Sequence, residues 1–327
     1  MSTIEAIRTG FRLTRRFPSI GAIESIWRTA YAILVTLFIL MGTLLFLRDA
    51  TVLDLEWQAL RSKTPLLISL AIEKLLLQYG DDLWHMFLFV ALLSGLMWLL
   101  FASLFRPGIV GMLARAFSRE DTDAAPIITS TALWTDTRMF SRRIGALNFI
   151  YLFFSVLLAI LSVGVFWGSV QLGFLAGDIL GPFVTIICVT LGTTLTFLLW
   201  AVVDLVTDMA QIAVVFEGRR LGDSLLRTAR VIQKKLGLII GITLILFVLR
   251  MILATVFGVV NVVTNAVFGA VWMPLVVPTT VLLWFLQSVF MYYFYVMSLA
   301  SFACLFEAGK DEAAQSFSGS GTIIYEP

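Results

Sequence analysis

Asp204 and Asp208 stand one helical turn apart inside "WAVVDLVTDMAQIAVVF", residues 200–216, an otherwise apolar run. At that spacing both carboxylates, and Gln211 with them, share one face of a helix. A charge in such surroundings needs a partner, because an unpaired one at the centre of a membrane helix costs about 2.5–3.5 kcal/mol. Arg250 is a cation of comparable depth. If Phe216 and Phe306 mark one aqueous boundary, Asp204 lies about 18 Å inside it and Asp208 about 12 Å. Arg250, counted from Gly237 where the next apolar run enters, lies roughly 20 Å deep, and Tyr295 falls in the same layer. The expectation is an intramembrane polar cluster of Asp204, Asp208, Arg250 and Tyr295, with an Asp204–Arg250 ion pair. Three roles stay open for it: fixing helix register, lining a proton or substrate path, or, if the span ends near Val203, sitting in headgroups.

A second set of candidates follows at once. Arg219, Arg220, Arg227, Arg230 and Lys234 crowd residues 217–236, and such a cluster beside a span is a candidate site for lipid phosphates as well as a topology signal. His85 stands beside Trp84 at the start of an apolar run with Asp81 and Asp82 before it. That trio is a thin basis for a metal site, and an interfacial histidine is more simply a wet surface residue. The segment "MYYFYVM", residues 291–297, reads as helix packing or as the phenolic wall of a polar cleft. Cys188 and Cys304 both sit in apolar runs, where a thiol serves as a small apolar filler. No nucleophile–base set or glycine-rich phosphate loop stands out, so no catalytic residue, metal or cofactor is predicted.

The elements that must position these residues are membrane helices. Of 327 residues, 60% are hydrophobic and 13% charged, about half the charge of a soluble domain. Six runs are long enough to span a bilayer, near 28–48, 83–105, 145–169, 186–210, 237–261 and 280–305. None alternates as a barrel strand would, so the fold class is an all-α polytopic membrane helical bundle. Its organisation reads as an amphipathic interfacial segment (1–27), a six-helix membrane domain (28–306) and a mobile tail (307–327). The membrane domain carries an outer-side linker at 49–82 and cytoplasmic linkers at 106–144 and 217–236. Eighteen of the 23 Lys and Arg residues fall on the side of the two latter linkers and the termini. The positive-inside rule then places both termini in the cytoplasm. The basic residues form no separate basic domain, which argues against a nucleic-acid partner.

Two of the linkers carry helical patterns. Leu221, Leu225, Ala229, Ile232 and Leu236 make one stripe, with Arg227, Arg230 and Lys234 on another, the pattern of a helix lying in the interface. The N-terminal segment reads likewise through Ile4, Ile7 and Phe11, with Pro18 ending it. A weak internal repeat accompanies this. "LFRPG", "VFEG" and "LFEAG" follow the second, fourth and sixth spans, each a Phe, a charge and then a Gly. The repeat suggests three helical hairpins in tandem.

The segment "VVFEGRRLGDSLLRTARVIQKKLG", Val214 to Gly237, resembles one found in a broad group of multi-pass bacterial membrane proteins. That group includes the YciC-like inner-membrane proteins and the membrane domain attached to some glycerophosphodiester phosphodiesterases. The resemblance implies a helical fold in the bacterial inner membrane and no catalytic residues. Three function classes follow. The first is a non-catalytic scaffold or accessory subunit, with membrane lipids and a protein within the membrane as partners. The second is a transporter or lipid-handling protein using Asp204, Asp208 and Arg250. The third is a membrane enzyme.

Overall fold

A computed structural model describes residues 2–49, 64–118, 130–218, 220–271 and 273–318. Seven α-helices account for nearly all of them: α1 Thr3–Arg16, α2 Pro18–Asp49, α3 Pro65–Ser118, α4 Ser130–Leu175, α5 Gly177–Glu217, α6 Leu221–Val271 and α7 Val276–Ser318. A short 3₁₀ turn, Met273–Leu275, leads into α7. Helices α2 to α7 each contain a stretch long and apolar enough to cross a membrane. The chain is therefore an all-α, multi-pass membrane bundle, as composition requires. Within it, hydroxyls such as those of Thr36, Ser162, Thr207 and Ser288 donate to the carbonyl four residues back. Such bonds satisfy polar side chains where no water is available.

The chain forms two compact units, residues 1–26 with 102–327 and residues 27–101. In the smaller unit α2 and α3 form a hairpin, with Tyr31 donating to the Ser94 carbonyl and Gly42 admitting Met86 and Val90 of α3 to van der Waals contact.

The larger unit is built round α7. Just over half of its membrane-length window, 56%, is buried, against 17% for α6 and 6% for α4 and α5. Small residues explain this: Ala300, Ser301, Ala303 and Cys304 let neighbouring backbones approach closely. Helices α4 and α5 pair along their lengths, as do α6 and α7. The core collects at one end of the helices, around Met209, Ile212, Ile242, Met297, Phe302 and Phe306. Towards the other end side chains such as Phe166 and Trp167 of α4, Ile186 and Leu191 of α5 and Val259 of α6 are exposed. In a bilayer such surface meets lipid tails or another protein.

Several boundaries differ from those expected of the sequence. Pro18 does not merely stop α1; the break is at Phe17, and Pro18 opens α2, since proline suits a first helical position. Residues 65–82 begin α3 and are not a separate outer element, while 50–63 lie outside the described residues. The 106–144 linker is helical at both ends, because α3 runs on through Pro107 to Ser118 and α4 starts at Ser130. The 307–327 tail is helical as far as Ser318, and 319–327 lie outside the described residues.

Helix α1 packs one face into the core. A capping box starts it: the Ser2 hydroxyl accepts from the Glu5 N–H, and the Ser2 N–H donates to the Glu5 carboxylate at 2.6 Å. Its buried face is Ala6, Gly10, Leu13 and Thr14, while Ile4 and Phe11 remain largely exposed. A Cβ at Gly10 would lie 2.4 Å from the Ser301 Oγ and 2.9 Å from the Met297 carbonyl oxygen. Only glycine permits that crossing of α1 over α7.

Candidate functional site

The site begins at a proline. Pro107 lies inside α3, where it removes one intrahelical hydrogen bond and loosens its turn. Helix α4 docks on this turn. The Thr137 hydroxyl donates to the Leu104 carbonyl at 2.9 Å. Gly108 and Gly111 leave room for Leu133 and Asp136, whose atoms stand 2.4 and 2.1 Å from where a Cβ would be. Arg115 then closes on Asp136 at 2.5 Å. These contacts pin the stretch of α3 that carries Arg106.

Arg106 turns inward. It is 5% exposed, and its Nη1 donates to the Asp208 carboxylate at 2.7 Å and to Gln211 Oε1 at 3.3 Å. It also donates to the Tyr295 hydroxyl, and its guanidinium carbon lies 4.8 Å from the centre of the Tyr295 ring, in cation–π range. Tyr295 passes the bond on, its hydroxyl donating to the same Asp208 oxygen at 2.7 Å. Gln211 extends the network to α4, donating from Nε2 to Asn148 Oδ1 at 2.8 Å. One guanidinium thus joins α3, α5 and α7, and through Gln211 reaches α4. Two further donors of the network, Arg106 Nε and Asn148 Nδ2, are buried and face no protein acceptor among the described residues.

Of the expected cluster, Asp208 and Tyr295 meet directly. The cation bound to Asp208 is Arg106, which the sequence places just after an apolar run and before "PG", like a linker residue. Half-buried Asp204 lies close enough to act electrostatically on Arg106, as does buried Glu24 from α2, and it acts on Tyr151 as well. Arg250 donates to the Phe294 carbonyl at 3.3 Å. Tyr151 in turn accepts from the Trp200 indole at 3.0 Å. Arg106, Asn148, Tyr151 and Glu24 were not among the residues the sequence marked. The available signal for Arg106 was the run "PGIVGMLARAF" behind it. Its apolar character and paired glycines indicate continuing packed helix rather than loop.

The basic candidates divide. Gly218, with φ +64, caps α5 in the left-handed conformation, and Arg219 lies outside the described residues. Arg227 folds back on Glu217 at 3.1 Å, clamping that turn. Arg220, Arg230 and Lys234 are exposed. Helix α6 kinks at Lys235, φ −120 and ψ 25, which divides the amphipathic part from the span. Lys235 itself donates to the Leu305 carbonyl at 3.4 Å. The buried stripe of the amphipathic part is Ser224, Thr228 and Val231, flanked by Leu221, Leu225 and Ile232. Ala229 and Leu236, expected on that stripe, are exposed. The face chosen tolerates small hydroxyl residues because they pack closely, which a hydrophobicity pattern does not register.

In the smaller unit, His85 Nδ1 lies 2.7 Å from the Asp81 carbonyl oxygen. With Asp82, Tyr79 and Met86 it lines a cavity of about 410 Å³ between α2 and α3. Among the described residues no three His, Cys, Asp or Glu side chains are grouped to hold a metal ion.

Fold and site together define the class: a polytopic all-α membrane protein with a buried, ion-paired junction between helices. No family model, curated protein or solved structure matches this chain.

Proposed function

We propose that this chain is a non-catalytic component of a larger membrane assembly, a scaffold or accessory subunit in the bacterial inner membrane with both termini in the cytoplasm. One observation carries the reading. Two buried charges, Arg106 and Asp208 at 5% and 6% exposure, bind each other and between them engage the side chains of Gln211 and Tyr295. Groups committed in this way fix helices; they are not poised to exchange protons or bind solute. The exposed aromatic and aliphatic outer ends of α4 to α7 supply surface for neighbours within the membrane. The resemblance of Val214–Gly237 to YciC-like proteins is compatible with this and adds no chemistry.

A second reading, a transporter or lipid-handling protein, draws on half-buried Asp204 and its electrostatic coupling to Tyr151 and Arg106. One experiment separates the two. Native membranes are extracted in mild detergent and the particle is weighed, with wild type and an R106M/D208L variant in parallel. The scaffold reading expects one defined assembly heavier than the 36.4 kDa chain, unchanged in the variant. A lone chain that conducts protons or solute in vesicles, and loses this in the variant, overturns it.

A further inference from the structure

Two grooves border α1, and they share Arg8 and Phe11. One, of about 510 Å³, is walled by Ile7, by Ile245 and Leu249 of α6 and by Phe294 and Met297 of α7. The other, of about 420 Å³, is walled by Arg12, Arg15 and Arg16. The apolar slot thus adjoins a run of four arginines along α1, and no acidic residue lines either groove.

Helical rise places the crossing and the slot. Helix α1 lies across α6 and α7 where Thr3 abuts Gly241 and Gly10 abuts Ser301. Those positions are about 9 Å from the Lys235 kink and about 8 Å from Phe306 at the helical rise. A helix lying flat in the interface is buried by about as much. The apolar slot reaches further, to Leu249 and Phe294, roughly 21 and 18 Å from the same marks. Positive charge beside an apolar slot matches the head and acyl chain of a phospholipid. The excess of arginine selects an anionic one, because basic clusters at the membrane surface attract acidic lipid.

We propose that α1, α6 and α7 form a binding site for one anionic phospholipid, its phosphate held by Arg8 with Arg12 and Arg15 and an acyl chain lying against Leu249 and Phe294. The site is separate from the Arg106 junction and holds whether the chain is a scaffold or a transporter.

The test uses the full chain, delipidated in mild detergent and titrated with phosphatidylglycerol or phosphatidylcholine while bound lipid is read by native mass spectrometry. Phosphatidylglycerol adducts should form at roughly tenfold lower lipid concentration. R8Q/R15Q should abolish that preference, and R8K/R15K should keep most of it, which separates lost charge from lost fold. Leu249→Trp, which fills the slot, should weaken retention with the arginines intact. Inorganic phosphate should not displace the lipid. Equal retention of the two lipids, an unchanged R8Q/R15Q or Leu249→Trp variant, or displacement by inorganic phosphate, the mark of a simple anion site, would each overturn the proposal.

Discussion

The Phe117 ring meets the Phe216 ring edge-on, with centroids 5.8 Å apart and planes at 67°. Both pack on the core that contains Phe306. The ends of α3 and α5 therefore share the level of Phe306, twelve residues before the end of α7. The repeat read from sequence aligned Phe105 instead, which is twelve residues, or about 18 Å, too early. Arg106 consequently lies within the bundle and not at its rim.

That register has a labelling signature. Single cysteines at 117, 217 and 307, in a background with Cys188 and Cys304 replaced, should react with a membrane-impermeant thiol reagent from one side of sealed vesicles. A cysteine at Arg106 should resist it from either side. Reaction of 217 and 307 from opposite sides would contradict the shared level.

Removing one partner of a buried ion pair leaves the other uncompensated, at a cost of about 3–5 kcal/mol. Arg106→Met and Asp208→Leu should each lower stability in detergent by that order, read from denaturant unfolding. The double change R106M/D208L should recover most of the loss, because apolar replacement of a whole pair is often neutral. Losses that simply add would show that the two residues do not act as a pair.

Gly10 is the narrow point between α1 and α7. Gly10→Ala pushes a methyl group against the Ser301 hydroxyl and the Met297 carbonyl, and overpacking of this kind costs about 1–3 kcal/mol. Tryptic cleavage at Arg8 and Arg12 should accelerate as α1 lifts away. Adding Ser301→Ala should restore only part of the protection, since the backbone contacts at 2.9 and 3.0 Å remain.

The start of α1 should respond to acid. Hydrogen bonds from the Ser2 N–H, and secondarily from its hydroxyl, hold the Glu5 carboxyl below its ordinary value. A carboxyl depressed on folding stabilises above its unfolded pKa and loses that contribution as pH falls through the folded one. Relative to intrinsic rates, amide exchange in residues 3–6 should therefore rise below about pH 4. Glu5→Gln, which keeps a side-chain acceptor for the Ser2 N–H, should flatten that response. An unaltered response in the variant would place its origin elsewhere.

Much of the architecture was legible because it is local. Runs of apolar residues declare membrane helices wherever they occur, and the kink at Lys235 falls where the amphipathic pattern gives way to an unbroken apolar one. Counting helical rise put Tyr295 in the layer of Asp204 and Arg250, and the structure bonds it to Asp208, one turn from Asp204. The same counting failed for α3, since "FRPG" has the composition of a turn. The turns on either side of its proline are held by Thr137, Leu133 and Asp136 of α4, and those are contacts between segments.

Residue types and periodicity alone settled that the chain crosses a membrane as helices and that its buried carboxylates need a partner. Hydrophobicity and the cost of an uncompensated charge act at each position and need no knowledge of neighbours. Which cation answers Asp208, and which face of α1 turns inward, were decided by packing. Both depend on where glycine or proline lets two backbones approach, and that distance is a property of the pair of helices rather than of either one.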